Sequence, residues 1–276
     1  MNHIMSLKKI ILKLSFLTED NPFFCYLLGS PLLYFSVLSK KKQDAAHIFQ
    51  SVFKSNFLKI QQIPSEFHAL LKIVGTLNPK VMMEVGTYRG GTLLLFTKVL
   101  SQDSTILSLD LPRDKMHRGY AKWRKRLYPN FANGQQRMFF LQDDSHSEDC
   151  GENVVRILDG RTIDFLFIDA DHTYSGVKRN YELYSSLLSG DGVLALHDIV
   201  PDPNQQENEV YLFWKELRKS IPYTFEIVED YNQGKAGIGI LCKSDAQFKR
   251  VISTIETDRE NAADKHMNKP SGTGNF

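Results

Sequence analysis

The central part of the chain, from about residue 60 onward, alternates short apolar runs with segments long enough to form crossover helices. This alternation is typical of repeated βα units and predicts an α/β fold with a Rossmann-like, doubly wound, mostly parallel sheet. The five apolar runs that predict its parallel strands are 81–85, 105–110, 137–141, 163–170 and 192–198.

Two further apolar runs follow a helix predicted at 210–219. They are FEIVED at 225–230 and GIGILCK at 237–243, and a short glycine-bearing connection joins them. The pair predicts an antiparallel hairpin at one edge of the sheet. Ahead of the first strand, the run EFHALLKIVGTL predicts a helix with Ser65 as its N-cap.

Three segments are predicted along the chain: an apolar and helical N-terminal extension at 1–60, the sheet-containing domain at 61–245, and a C-terminal helix with a flexible tail at 246–276. Within the extension, residues 22–39 are nearly uncharged, are interrupted by Gly29 and Pro31, and precede three lysines. We interpret this run first as a helical cap or a surface for homo-oligomer formation, second as a peripheral membrane contact, and third as a span.

Composition and charge indicate the size of the core and the classes of partner and site that the chain can be expected to have. A chain of 276 residues with 42% hydrophobic positions can bury one large core. The formal charge of +2 is spread along the chain, which gives no argument for nucleic acid. Cys25, Cys150 and Cys242 are far apart and predict neither disulfides nor a zinc site, in keeping with a reducing cytoplasm.

A glycine-bearing turn between the first strand and the next helix is the first candidate for ligand binding. Glycines let the backbone approach a ligand closely, and a helix N-terminus offers free N–H groups. The GxGxxG fingerprint of dinucleotide folds is absent, and the acidic residue two positions before the first glycine can instead reach a cationic ammonium group. The predicted ligand-binding residues of this turn are Glu84, Gly86, Thr87, Tyr88, Gly90, Gly91 and Thr92.

Polar residues also stand at the ends of the second and third predicted strands. Asp110 lies where doubly wound folds place an acid on ribose hydroxyls. Asp144 and Ser145 lie where a polar pair can meet an adenine edge. A single aspartate at a strand end is often a cap, but acids at successive strand ends point to one shared ligand.

The fourth and fifth strands end in groups suited to catalysis. Asp169, His197 and Asp198 can converge there, and such ligands suit Mg²⁺ or another divalent cation. The alternative is that they only form hydrogen bonds at strand ends. His172 follows Asp169 on a loop, and an imidazole with an ordinary pKa near 6.5 is a usable base near neutrality. We predict Asp169 and His172 as catalytic residues, with a structural role for His172 as the alternative.

These motifs, together with the runs DFLFIDADHTYSGV at 164–177 and GDGVLALHDI at 190–199, resemble class I S-adenosylmethionine-dependent methyltransferases. The resemblance covers about 65–243 and is strongest to small-molecule O-methyltransferases of the methyltransferase family 24 type, related to catechol-type and macrocin-type enzymes. It implies that the turn binds the amino acid part of the cofactor, Asp110 its ribose, and Asp144 with Ser145 its adenine. Asp169 is also predicted to bind the cofactor.

The resemblance also has departures. Tyr88 stands where the family often has a glycine, and Ile199 stands where catechol-type enzymes have a third, asparagine metal ligand. His172 occupies the position of their catalytic lysine. We therefore expect an O-methyltransferase acting on a hydroxylated small molecule, such as a sugar, glycoside or polyketide-like acceptor, ahead of a simple catechol. The alternative is a non-catalytic or membrane-associated adaptor with the same fold.

Overall fold

The computed structural model describes residues 45–267 except 56, 114–118, 123 and 205–207, so the apolar run 22–39 and the tail from 268 lie outside the described residues. The helices are α1 Ala45–Phe53, α2 Pro64–Leu77, α3 Gly91–Val99, α4 Arg124–Leu127, α5 Glu148–Leu158, α6 Tyr174–Tyr184, α7 Val210–Ser220 and α8 Asp245–Met267. The strands are β1 Val81–Val85, β2 Thr105–Asp110, β3 Arg137–Gln142, β4 Ile163–Ile168, β5 Leu188–His197, β6 Thr224–Ile227 and β7 Ile238–Cys242.

The seven strands form one sheet in the order β3-β2-β1-β4-β5-β7-β6. The first five strands pair in parallel, whereas β7 is antiparallel to both β5 and β6. This arrangement confirms the predicted doubly wound sheet with its antiparallel edge hairpin. Val85 lies level with Leu109 on one side and with Ile168 on the other, so the carboxyl ends of the central strands form one edge.

The central strands read as continuous apolar runs because both faces of the sheet are covered. One face packs against an aromatic cluster that includes Phe67 and Phe96, and the other against Trp214 and Tyr184. Trp214 is 1% exposed and lies so close to β7 that a Cβ atom at Gly239 would come within 2.7 Å of its ring. Trp214 is therefore a core residue.

The start of α2 differs from the prediction. Pro64 occupies the first turn and Ile63 is the N-cap residue, so Ser65 lies inside the helix. The fixed φ of proline suits the first helical position, which moves the helix start toward the N-terminus. The prediction of Ser65 as the cap is wrong, and its hydroxyl instead donates a hydrogen bond to Glu229.

The described part of the N-terminal extension packs on the sheet. Val52 of α1 and Leu58 are fully buried in the same cluster as Phe96 of α3. Among the described helices, none combines the length and the apolar character needed to cross a bilayer. Residues 45–60 thus contribute to the core of the domain that they precede.

Candidate active site

A cleft of about 810 Å³ opens at the carboxyl ends of the parallel strands. Its walls come from the loops after β1, β2, β3 and β4, where a doubly wound sheet ordinarily binds its ligands. Nine of the predicted site residues line it: Gly86, Thr87, Tyr88, Thr92, Asp110, Asp144, Ser145, Asp169 and His172.

The turn after β1 is pressed against the end of β4. A Cβ atom at Gly86, which has φ +96°, would lie 1.8 Å from the carbonyl oxygen of Asp169. Tyr88 adopts a left-handed φ of 48°, and its N–H donates to Asp110 Oδ2 at 2.5 Å. The turn thus keeps a glycine-like backbone at Tyr88, and the hydrogen bond to Asp110 helps to hold it.

Glu84 lies behind the cleft wall. Its side chain is completely buried and accepts a hydrogen bond from the Thr92 hydroxyl at 2.5 Å, while Oε2 has no hydrogen-bond partner among the described residues. Burial raises the pKa of Glu84 to about 8. In this geometry Glu84 supports Thr92, which lines the cleft, and does not itself face a ligand.

Gly90 and Gly91 serve packing in this structure and do not line the cleft. A Cβ atom at Gly90 would lie 2.6 Å from the Tyr128 ring, and one at Gly91 would lie 2.1 Å from the Leu58 carbonyl oxygen. Both glycines therefore let other segments approach the N-terminus of α3.

The ends of β2 and β3 supply the next polar groups. Asp110 also accepts a hydrogen bond from the Leu111 N–H at 2.7 Å, and burial raises its pKa to about 6. Asp144 accepts from the His146 N–H at 3.0 Å, and the Ser145 carbonyl accepts from the Tyr184 hydroxyl at 2.8 Å. These bonds fix the two strand ends beside the cleft.

Two carboxylates and two imidazoles meet at the ends of β4 and β5. His172 Nε2 lies 3.7 Å from Asp169 Oδ1 and 3.4 Å from Asp198 Oδ2. His197 Nδ1 lies 3.2 Å from Asp169 Oδ1 and 3.3 Å from Asp198 Oδ2. Asp198 has a left-handed φ of 64°, and its Oδ1 accepts from the Ala236 N–H at 3.1 Å. The strained backbone of Asp198 is one that functional sites often contain.

Electrostatics keeps this cluster charged. Burial opposes ionisation of Asp169, but His197 and His172 outweigh it and hold the pKa of Asp169 well below its usual range. The hydrogen bond to Asp169 raises the pKa of His172. Burial also disfavours charge on His197, yet the carboxylates of Asp169 and Asp198 raise its pKa.

The cluster has the donor set of a divalent cation site. One ligand atom from each of Asp169, His172 and Asp198 lies within 4.8 Å of the others. Carboxylate oxygens with one imidazole suit Mg²⁺ or Mn²⁺. The sequence predicted Asp169, His197 and Asp198 as the metal ligands. In the structure the His197 side chain is only 3% exposed, whereas His172 faces the cleft, so His172 is the imidazole that is better placed for a cation there.

The loop that carries His172 is held on both sides. Asp171 accepts hydrogen bonds from the N–H and hydroxyl of Thr173, and the Thr173 hydroxyl caps α6. The His172 carbonyl accepts from the Glu209 N–H at 2.7 Å. Asp171 thus orients Thr173 at the start of α6.

Sequence reasoning missed one wall of the cleft. Lys59, Ile60, Gln61 and Gln62 line it from the N-terminal side, and Asn208 lines it near α7. Gln62 Nε2 donates to Asp169 Oδ2 at 2.6 Å. The segment has no strand or helix period, and contacts with residues distant in the chain, such as Gly91 and Asp169, bring it to the site, so a local pattern could not reveal it.

Comparison with known proteins agrees with this geometry. The family model described as "Methyltransferase domain" matches residues 83–199. A Dictyostelium discoideum protein named probable caffeoyl-CoA O-methyltransferase 3 is 25% identical over 187 residues, which cover 63% of this chain and 68% of that protein.

A solved structure is similar in fold. It is the crystal structure of a Staphylococcus aureus protein assigned as a caffeoyl-CoA O-methyltransferase, with a TM-score of 0.52, 19% identity, and coverage of 79% of this chain and 100% of that chain. This likeness concerns the fold alone. The family match shows a methyltransferase domain over residues 83–199, and the curated relative and the strand-end residues support the class I S-adenosylmethionine-dependent O-methyltransferases as its type.

Proposed function

We propose that the protein transfers a methyl group from S-adenosylmethionine to a hydroxyl of a small molecule. The main support is the cluster of Asp169, His172 and Asp198 at the edge of the cleft, beside the turn after β1. We assign the acceptor to the sugar, glycoside or polyketide-like class, because Ile199 replaces the third metal ligand of catechol-type enzymes.

The cofactor is proposed to lie along the strand ends. Adenine would meet Asp144 and Ser145, the ribose hydroxyls would meet Asp110, and the amino acid part would lie near Gly86 and the N-terminus of α3. A carboxylate is favoured at that terminus because the first N–H groups of a helix lack partners within the helix. With the cofactor so placed, the residues at the ends of β4 and β5 would be left to bind the acceptor hydroxyl.

Methyl transfer is an in-line displacement in which an O–C bond forms as the S–C bond breaks. The leaving group is S-adenosylhomocysteine, and the hydroxyl proton must go to a base. We propose that neutral His172 accepts it at Nε2, because His172 faces the cleft and two carboxylates within 3.7 Å stabilise the imidazolium that forms. The same carboxylates raise the pKa of His172, so this step requires a pH above that raised value.

A divalent cation would be held by Asp169 and Asp198, with one imidazole as a further ligand. When bound, such a cation lowers the pKa of an acceptor hydroxyl. His172 cannot be a ligand and the proton acceptor at the same time. Cation titration of the His172→Gln variant separates the two roles, because loss of cation affinity would identify His172 as a ligand.

The decisive experiment is a methyl-transfer assay with labelled donor against a panel of hydroxylated acceptors, with Mg²⁺, with Mn²⁺ and with a chelator. Isothermal titration with S-adenosylmethionine comes first. Absence of binding would overturn the proposal and favour the non-catalytic adaptor. Activity that survives the chelator and gains nothing from added cation would remove the cation from the mechanism.

We also propose that residues 22–39 mediate self-association or peripheral membrane contact in a cytoplasmic protein. The support is their apolar composition and the three lysines that follow. Analytical ultracentrifugation and sedimentation with anionic vesicles test the two contacts separately, using the full chain and a variant that lacks these residues.

A further inference from the structure

Gln62 is a buried polar residue that the chemistry described so far does not use. It is 8% exposed and lines the cleft. Its Nε2 donates to Asp169, but its Oε1 is buried and has no hydrogen-bond partner among the described residues. A buried carbonyl without a donor is costly, so its partner should be a group that enters the cleft.

The orientation of this amide follows from chemistry. Gln62 Nε2 lies 2.6 Å from Asp169 Oδ2, and a carboxylate oxygen is an acceptor that pairs with an N–H donor. The amide of Gln62 must therefore turn its NH₂ group toward Asp169. Its carbonyl oxygen then points away from Asp169, which is the hydrogen-bond partner of this side chain among the described residues.

The position of Gln62 identifies the part of the ligand that it can meet. We call residues 57–62 the crossing segment. Its Leu58 carbonyl and Ile60 side chain pack against Gly91 at the start of α3, and Gln62 at its end reaches Asp169 after β4. Gln62 thus lies at the end of the cleft to which the proposed function assigns the amino acid part of the cofactor.

That end of the cleft needs an acceptor for an ammonium group. Glu84 lies behind Thr92, and its pKa of about 8 leaves it largely protonated at neutral pH. We infer that Gln62 Oε1 accepts a hydrogen bond from the α-ammonium of the bound cofactor, an inference that rests on the proposed function. While its carbonyl holds the cofactor, its amide nitrogen holds Asp169, so Gln62 links cofactor binding to the catalytic cluster.

The test is a binding cycle that changes both protein and ligand. Affinities of the full chain for S-adenosylhomocysteine and for its deamino analogue, in which hydrogen replaces the amino group, are measured by calorimetry. Gln62→Met should weaken binding of S-adenosylhomocysteine about tenfold, as expected for one hydrogen bond to a charged group, and binding of the deamino analogue less than about twofold. Gln50→Met, on the exposed side of α1, is the matched control and should change neither affinity.

Equal losses for the two ligands would overturn the inference, because they would show that Gln62 only supports the shape of the site. Failure of the wild-type chain to bind S-adenosylhomocysteine would instead overturn the proposed function. If Gln62→Met does not fold, the same cycle is run with Gln62→Asn, which keeps the amide and withdraws its carbonyl by one methylene group. The same ligand-specific loss is expected, and its absence overturns the inference.

Discussion

A completely buried carboxyl group beneath the turn after β1 has consequences for stability. Glu84 has an ordinary pKa of 4.5, and burial raises it to about 8 in the folded protein. Between these values the folded protein retains a proton that the unfolded chain releases. Stability of the ligand-free protein therefore falls as pH rises through this window, and the contribution is fully present only below the lower value.

The Glu84→Gln variant should lack this component of the pH dependence, because an amide does not titrate. The wild-type free energy of unfolding should fall, relative to that of the variant, by up to about 1.4 kcal/mol per pH unit between about pH 5 and 7.5. Urea denaturation of both proteins across this range measures the difference. Parallel pH profiles would show that Glu84 is ionised in the folded protein.

Asp110 is the residue on which the proposed ribose contact depends. Asp110→Ala should weaken S-adenosylmethionine binding about 10- to 100-fold, because charge-assisted hydrogen bonds are lost, and Asp110→Asn should weaken it less. Calorimetric titration measures both. Asp103→Ala, in the exposed turn before β2, is the control and should bind normally. Unchanged affinity in Asp110→Ala would exclude the ribose contact.

At the scale of the element, the crossing segment packs closely against α3 because Gly91 has no side chain. Gly91→Ala would place a Cβ atom 2.1 Å from the Leu58 carbonyl, so the crossing segment must move. We expect a loss of about 1–3 kcal/mol in stability together with weaker cofactor binding. Thermal unfolding and calorimetry measure the two effects.

Gly75→Ala in α2 is the matched control for Gly91→Ala. Its nearest contact is Val99 at 3.8 Å, which is ordinary packing, and alanine favours a helix. This variant should be as stable as the wild type or more so. If both substitutions reduce stability and cofactor affinity equally, the losses in Gly91→Ala are not caused by close packing of the crossing segment.

The loops after β4 and β5 are expected to act on turnover more than on cofactor binding. Asp169→Asn and Asp198→Asn should each reduce methyl transfer far more than cofactor affinity, because their proposed role begins when the acceptor hydroxyl is positioned. His172→Gln should lose roughly two to four orders of magnitude in turnover while binding the cofactor normally. Single-turnover assays and calorimetry on the same preparations compare the two quantities. Near-native turnover in His172→Gln would make His172 a structural residue.

The parallel strands were predictable because each is a short apolar run bounded by polar residues, a pattern visible within a few residues. The strand-end acids were predictable for the same reason, since their place follows from the strand before them. Gln62 was not, because its place depends on its contact with Asp169, 107 residues further along the chain, and on the packing of Leu58 and Ile60 against Gly91. Likewise, the burial of Glu84 behind Thr92 depends on how α3 packs against β1, which no local pattern records.

For the molecule as a whole, one buried cation connects three parts of the chain. Arg124 of α4 is 1% exposed, and its Nη1 donates to the Phe57 carbonyl at 3.0 Å and to the Arg89 carbonyl at 3.1 Å. Its guanidinium also stacks over the Phe57 ring at 4.6 Å. Arg124 therefore holds the crossing segment against the turn after β1.

Arg124→Leu should reduce the free energy of unfolding by about 2–4 kcal/mol, because two buried carbonyl groups lose their donor. It should also weaken cofactor binding, since the crossing segment would no longer be held against the turn. Arg126→Leu, which changes an exposed residue of the same helix, should stay within about 0.5 kcal/mol of the wild type. Urea denaturation compares the variants, and equal stabilities would contradict this role for Arg124.

The cleft is built from two separate parts of the chain. Its floor is built from strand ends inside the region that matches the methyltransferase family, residues 83–199, whereas the crossing segment lies wholly upstream of that region. Mutations in residues 59–62 can reshape one side of the pocket while the sheet and its acids stay in place. A chimera that exchanges only this upstream segment should therefore change which ligands the pocket accepts while the parallel strands stay in place, provided that it keeps the Gln62 contact with Asp169.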